Sequence, residues 1–254
     1  MTSPSSRSRP MIISVEGNIG AGKTTIIDKL EEKMSNRQDV VFLREPVDIW
    51  ETITDKNTNE NILQKFYGNT KRYSFSFQVM AYSTRLSLIR EAVRNNPNCK
   101  VIVCERSLDA DKNIFAKMLY DDGMIEDIEY QIYQHFYKEY SSEFKLDGIV
   151  YIDANAETCD KRVKKRSRDG ESTIGLDYLK KCETYHNNWL KQDKKDISVF
   201  HIDTNEDVCY NNDNGTEWLN RIEGYINNYA SASTAYNRDT PANLIDLLES
   251  LLGY

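Results

Sequence analysis

The chain has 254 residues, 39% of them hydrophobic and 29% charged, with 33 basic and 40 acidic side chains and a net charge of −7. That length can bury a core without disulfide or metal staples, and no stretch approaches the roughly 18 apolar residues that a membrane span needs. The acidic average field repels a phosphate backbone, so neither a nucleic-acid partner nor a membrane is expected, and an anionic small ligand must be met by a local cluster of donors. Residues 1–10 are rich in Ser and Arg, contain no acid and lack the apolar stretch of a secretion signal, so they read as a flexible N-terminus. Short apolar runs predict strands over residues 11–15, 40–43, 100–104, 148–152 and 197–202. Between them, helical spacing predicts a helix opening at Lys23 and others over about 71–96, 108–121, 125–143, 155–167, 175–195 and 215–228. Strands alternating with helices imply one α/β domain over 11–229, a five-stranded parallel sheet flanked by helices on both faces. Beyond it, residues 230–240 read as a linker, and Leu244, Ile245, Leu247, Leu248, Leu251 and Leu252 form an amphipathic pattern that completes a 230–254 tail.

The five cysteines, Cys99, Cys104, Cys159, Cys182 and Cys209, are odd in number and form no C-x-x-C pair, so free thiols in a reducing compartment are expected. His135, His186 and His201 show no metal-ligand spacing and read as structural.

The run Gly17, Asn18, Ile19, Gly20, Ala21, Gly22, Lys23, Thr24 matches G-x-x-x-x-G-K-[ST], with Thr25 following. Such a turn between a strand and a helix curls backbone N–H groups around phosphate oxygens and adds the positive helix terminus. The lysine reaches the β- and γ-phosphates, and the Thr24 hydroxyl can ligate Mg²⁺. A nucleoside triphosphate is therefore the expected ligand.

Three further constellations surround that loop. Glu105 and Arg106 leave the third strand together, where the carboxylate can hold the magnesium shell and the guanidinium can neutralise reacting oxygens; a helix-start acid beside a surface arginine is the plainer alternative. Glu45 precedes Pro46 at the end of the second strand, on the rim where open α/β sheets bind ligands, and can take a proton from a hydroxyl. Arg162 and Arg166 share a helix face and lead into Arg168, a plausible lid over transferring phosphates, although a basic run such as 161–168 is also what a solvated face looks like.

These residues together resemble the deoxyribonucleoside kinase family of the deoxycytidine/deoxyguanosine kinase type. The shared stretches are 17–25, Glu45-Pro46-Val47 with Trp50, residues 72–78, Glu105-Arg106-Ser107, residues 146–151, 162–171 and 205–207. The resemblance implies a P-loop kinase fold that dimerises through a helix pair, for which the helices near 71–96 and 125–143 are candidates. It implies transfer of the γ-phosphate of ATP, or of another triphosphate, with Mg²⁺, to the 5′-hydroxyl of a deoxynucleoside, in nucleotide salvage. The cytoplasm is the expected compartment ahead of the mitochondrion, because the Ser/Arg-rich terminus is short for a transit peptide. Glu45 then resembles the general base, with Arg106 beside the hydroxyl. Tyr67 and Glu171 resemble the pair on the 3′-hydroxyl. Trp50, Phe77 and Phe115 resemble the walls of the base site, and Gln78 the amide that reads the base edge. Lys23, Thr24 and Glu105 resemble the phosphate and metal ligands, Arg162, Arg166 and Arg168 the lid, and Glu206, Asp207 and Val208 the loop over the donor base. Ala81, Arg85 and Asp111 resemble the set that separates cytosine- and purine-preferring members from thymidine-preferring ones, so deoxycytidine or a purine deoxynucleoside is expected over thymidine. Two rivals stand beside this reading. A thymidylate-kinase-like enzyme would need a further basic residue near Pro46, because Glu45 repels a phosphate acceptor. A regulator without turnover would have no need of base, metal ligand and lid together.

Overall fold

The structure, a computed structural model, describes residues 9–166, 174–192, 197–210 and 214–236. Five strands, β1 (Met11–Glu16), β2 (Val40–Leu43), β3 (Val101–Glu105), β4 (Gly148–Asp153) and β5 (Ser198–Asp203), form one sheet in the order β2-β3-β1-β4-β5. Every pairing is parallel. Their near-continuous apolar runs suit strands covered on both faces, and side chains alternate between two cores accordingly. Ile13, Val15, Val101, Val103, Val150 and Ile152 pack with Ile26, Ile27 and Leu30 of α1 (Lys23–Lys33) and Ile222, Ile226 and Tyr229 of α10 (Asn214–Tyr236). Ile12, Cys104, Ile149 and Tyr151 face the other way, toward Ile114, Met118 and Cys182.

The remaining helices surround the sheet. They are α2 (Val47–Glu51), α3 (Ile62–Gly68), α4 (Thr70–Asn95), α5 (Leu108–Ala110), α6 (Lys117–Asp121), α7 (Asp127–Tyr140), α8 (Ala156–Arg166) and α9 (Leu176–Asn187). A π-helical turn, Asp111–Ala116, joins α5 to α6. The start of α3 is fixed by a capping box between Asn61 and Gln64, and α4 begins at once because the Asn69 side chain accepts from Arg72 N. Because β1 lies between β3 and β4, the chain crosses away from it in both directions, and the turn after β1 sits at the switch point of the sheet.

Four differences from expectation stand out. Helices α2 and α3 fill a region for which no helix is expected. Helix α10 continues through Tyr236, with Ala230 and Ala232 buried, so the expected linker does not begin at residue 230. Arg9, expected in a flexible terminus, makes a forked contact with both Asp147 oxygens at 2.7 and 2.8 Å. Finally, the helix expected over 125–143 is α-helical over Asp127–Tyr140 and closes in a 3₁₀ turn over Ser141–Phe144, and the one expected over 175–195 is α-helical over Leu176–Asn187 and π-helical through Gln192, with 193–195 outside the described residues. The amphipathic pattern of 243–252 lies outside the described residues. All five cysteines are free thiols. Among the described residues no helix is long and apolar enough to cross a membrane.

Candidate active site

A cavity of about 720 Å³ opens along the carboxyl rim of the sheet. At one end lies the glycine-rich turn, where Ile19, Gly20, Ala21, Gly22, Lys23, Thr24 and Thr25 line the wall. Gly20 has φ +84°, and a Cβ there would stand 2.7 Å from the Cys159 carbonyl oxygen, so only glycine lets the turn pass this close to α8. The Asn18 amide ties the turn to α9 by donating to Leu179 O at 2.9 Å. Lys23 Nζ curls back to Gly17 O at 3.1 Å and Asn18 O at 2.9 Å. Burial and the charge of Arg106 lower the Lys23 pKa to about 8. Thr24 Oγ1 donates to Glu105 Oε1 at 2.7 Å, so a hydroxyl and a carboxylate from α1 and β3 converge beside the lysine.

The second feature is a buried ion cluster around Glu45. Arg85 reaches from α4 and donates to Asp111 at 2.9 and 3.4 Å, to Glu105 O at 2.9 Å and to Glu45 Oε1 at 3.1 Å. Arg106 donates to the same Glu45 oxygen at 3.2 Å and to Gly17 O at 3.4 Å, and its guanidinium lies 4.5 Å from the Phe115 ring centroid. Burial works to raise the Glu45 pKa, but Arg106, Arg85 and Lys23 outweigh it and hold the carboxyl down at about 2. Glu45 is thus an anion throughout the ordinary pH range, held between two cations at the junction of the two halves of the cavity. Arg106 adopts φ +66°, a left-handed conformation that costs a non-glycine residue about 1–2 kcal/mol.

The far half is apolar. Phe77 stacks on Phe66 with centroids 4.6 Å apart and meets Trp50 edge-on at 5.3 Å. Residues 77, 81 and 85 recur every four positions and Gln78 is adjacent, so one face of α4 delivers Phe77, Gln78, Ala81 and Arg85 to the cavity. The π-helical turn does the same for Asp111 and Phe115, which also line it, and such turns are frequent at functional sites. Gln78 Oε1 is buried without a hydrogen-bond partner, a costly state that a ligand donor would relieve. Trp50 Nε1, by contrast, is satisfied by Thr84 Oγ1 at 2.9 Å, so Trp50 presents ring rather than donor. Tyr67 stands on the cavity wall.

Arg162 and Arg166 both reach the cavity from the end of α8. Arg162 ties that helix to the segment after β5, donating to Thr204 O at 2.9 Å, Glu206 O at 3.3 Å and Asp207 Oδ1 at 3.1 Å. Glu206, Asp207 and Val208 line the same end. Arg168 and Glu171 lie outside the described residues. Every other expected site residue except Gly17 and Asn18 lines this one cavity, and those two form the start of its glycine-rich turn.

Several lining residues carry no signal in the sequence. Leu63 and Phe66 come from α3, which is too short to show a clear period. Tyr178 from α9 is half-buried near Arg106 and Tyr67, and desolvation pushes its hydroxyl well above the usual tyrosine range. Tyr210 and Trp218 add aromatic surface at the Val208 end. Chemically, the cavity pairs a polyphosphate cradle with a flat apolar slot ending in an amide, and a permanent carboxylate stands between them.

Residues 13–227 match the deoxynucleoside kinase family. A probable deoxycytidine kinase of fowlpox virus is 34% identical over 220 residues, spanning 84% of this chain and 87% of the viral protein. The mitochondrial deoxyguanosine kinase of Xenopus laevis is 31% identical over 239 residues, spanning 84% and 89% of the two chains. Deoxycytidine kinase of Rattus norvegicus is 35% identical over 197 residues, spanning 70% and 74%. A match covering nearly all of the sheet and its surrounding helices is a match to the body that builds the cavity, and the chain belongs to the deoxynucleoside kinase family.

Proposed function

We propose that this deoxynucleoside kinase phosphorylates deoxycytidine or a purine deoxynucleoside in preference to thymidine, using ATP or a related triphosphate and Glu45 as the base. The observation that carries the proposal is the position of Glu45. It stands between the Lys23 cradle and the Gln78 slot, and two arginines aim it at the junction. A nucleoside with its base against Phe77 and Gln78 extends its sugar toward Glu45, with Tyr67 beside the sugar. Glu45 accepts the proton as the 5′-oxygen attacks the γ-phosphorus, and the bond from that phosphorus to the bridging oxygen of the nucleoside diphosphate breaks. Arg106 and Lys23 meet the charge that spreads over the transferring group, with Arg162 and Arg166 at the donor end. Arg168 and Glu171 take the lid and 3′-hydroxyl roles by the family resemblance.

Thr24 and Glu105 offer hard oxygen donors 2.7 Å apart beside the lysine, a donor set that fits Mg²⁺. When bound, the ion would neutralise charge on the donor phosphates. The base preference rests on the Arg85–Asp111 pair. Buried at the slot beside Gln78 and Ala81, it presents fixed charge to a polar base edge and crowds a thymine methyl group. The names of the relatives, deoxycytidine and deoxyguanosine kinases, point the same way. A homodimer is part of the reading, supported by an apolar stripe on α7, and free thiols suit a reducing compartment such as the cytoplasm.

The deciding experiment measures phosphorylation of four deoxynucleosides by the enzyme and by Glu45→Gln with ATP and Mg²⁺. We expect thymidine to be the poorest substrate, and kcat to fall roughly 10²- to 10⁴-fold in the variant with nucleoside binding kept. Undiminished turnover without the carboxylate removes the general-base role, and thymidine as best substrate removes the base preference.

A further inference from the structure

Glu16, the last residue of β1, has no part in the mechanism above, yet its carboxyl group is completely buried at the heart of the rim. Its Oε1 accepts two hydrogen bonds from one residue, Ser107 N at 2.9 Å and Ser107 Oγ at 2.6 Å. Ser107 Oγ in turn accepts from Ala110 N at 3.0 Å and so caps α5. The residue before, Arg106, donates its own N–H to Val15 O at 3.0 Å. The last two residues of β1 therefore grip the chain on either side of Arg106, the one described residue of the site in which a side chain other than glycine holds a left-handed backbone. An unfavourable backbone state persists only where its surroundings over-determine it. Released from Ser107, Arg106 would relax toward the right-handed or extended region and swing its guanidinium away from Glu45 and Phe115. Ser14 Oγ, two residues back on the same face of β1, and Glu16 Oε2 are both buried without a hydrogen-bond partner. One proton shared between them would satisfy both, and an amide at position 16 can supply it too.

We propose that Glu16 is a positioning residue, which through Ser107 locks Arg106 in the strained turn that points its guanidinium at Glu45. The inference rests on the reading of Arg106 as the cation beside the reacting hydroxyl. It separates Glu16 from the ligand-binding residues, since the group does not line the cavity and holds Arg106 through the backbone N–H and hydroxyl of its neighbour Ser107.

The test is a double-mutant cycle on the full chain, with kcat, nucleoside KM and the fraction of sites that bind nucleotide measured for each variant. Glu16→Ala is expected to lower kcat per active site by about 30-fold with KM changed less than about threefold, because a misplaced group of this kind costs up to roughly 10²-fold. Glu16→Gln keeps both hydrogen bonds to Ser107 and is expected to stay within about threefold of the parent enzyme. Arg106→Lys is expected to cost far more in the parent than in the Glu16→Ala background, since residues acting as one unit are not additive. Should Glu16→Ala fail to fold, Ser107→Ala removes the hydroxyl link together with the α5 cap, keeps the backbone link, and enters the same cycle with Arg106→Lys. Additive losses in either cycle, or a Glu16→Ala enzyme with parental kcat, would overturn the proposal. A parental kcat in Arg106→Lys alone would instead show that the reading of Arg106 has failed.

Discussion

At the scale of single residues, the site is a set of charges whose burial has been offset by partners, and two consequences can be measured. Lys23 is the first. Its folded pKa of about 8 lies below the ordinary lysine value, so on folding it gives up a proton between about pH 8 and 10.5 that the unfolded chain keeps. Below that window the folded state bears the whole cost of the buried charge; stability must therefore rise with pH through it, by on the order of 3 kcal/mol. Comparing the melting temperature of the enzyme with that of Lys23→Met isolates this contribution. The parent should gain on the variant between pH 8 and 10, and a gap independent of pH would refute it. Catalysis moves the opposite way: kcat/KM for the donor falls above about pH 8 as the free enzyme loses the cation, while kcat at saturating triphosphate holds to higher pH because the bound polyanion restores the charge. Asp111 is the second case. Asp111→Ala leaves Arg85 buried with one carboxylate in place of two, a loss that costs about 3–5 kcal/mol for a broken buried pair, or a drop in melting temperature on the order of 10 °C. Thermal unfolding checks it, and an unchanged melting temperature would mean the pair contributes nothing net. The phosphate cradle was the most legible part of this site, because Gly20, Lys23 and Thr24 owe their roles to adjacent positions in one loop. The sharing of Glu45 between Arg85 and Arg106 was not legible, because it joins residues 40 and 61 positions apart in sequence through a fold that must exist first. Tyr178 was invisible for a related reason: a tyrosine on a helix has the same local pattern whether it faces a core or a cavity.

Among the elements, strands were easier to anticipate than helices. Both faces of this sheet are covered, so each strand is a compact apolar run, and β2 falls on its expected residues. Short helices carry no such signal. Helices α2 and α3 span five and seven residues, fewer than two full turns each, and their stability comes from packing Trp50, Leu63 and Phe66 against Phe77 rather than from a period of their own. The end of α10 was misplaced because Ala230, Ser231 and Ala232 read as linker by composition, yet two small side chains suffice where the helix is pressed against the body. How closely that helix lies on the sheet is testable at Gly148, the first residue of β4. A Cβ there would stand 2.7 Å from the hydroxyls of both Tyr225 and Tyr229. Those hydroxyls are committed, Tyr225 to Ser198 O at 2.9 Å and Tyr229 to Asp147 O at 3.1 Å. Gly148→Ala should therefore displace α10 and cost about 1–3 kcal/mol by overpacking. Chemical denaturation reads this directly. Gly148→Ala combined with Tyr229→Phe, which removes one of the two obstructing oxygens, should recover part of the loss, and no recovery would place the strain elsewhere.

For the whole molecule, the acidic chain and its cationic site are compatible because the basic groups are gathered at one rim, where Lys23, Arg85, Arg106, Arg162 and Arg166 line a single cavity in a protein of net charge −7. The opposite imbalance lies on α7. Ile128 is 71% exposed, Ile132 42% and Phe136 43%, and their spacing of four puts them on one stripe of that helix, beside α4. Scattered apolar residues on a surface need no explanation, but three in register on one helix form a contiguous strip of the kind that marks an interface. A two-fold axis through such a strip is self-complementary and buries each side chain twice. At roughly 1–2 kcal/mol for each partly exposed side chain, six of them contribute about 6–12 kcal/mol, within the range of the entropic cost of association. Residues bordering the strip must then add to the contact for the dimer to persist at micromolar concentration. This predicts that the enzyme sediments as a dimer and that Ile132→Lys, which sets two like charges at the axis, sediments as a monomer while retaining its helical circular dichroism. Since the cavity is built within one chain, that monomer should still bind triphosphate, with any fall in turnover traceable to α4, the helix that carries Phe77, Gln78 and Arg85 on one face and lies against α7 on another. A parent enzyme that sediments as a monomer at micromolar concentration would dispose of the interface, and a dimer indifferent to Ile132→Lys would move it off α7.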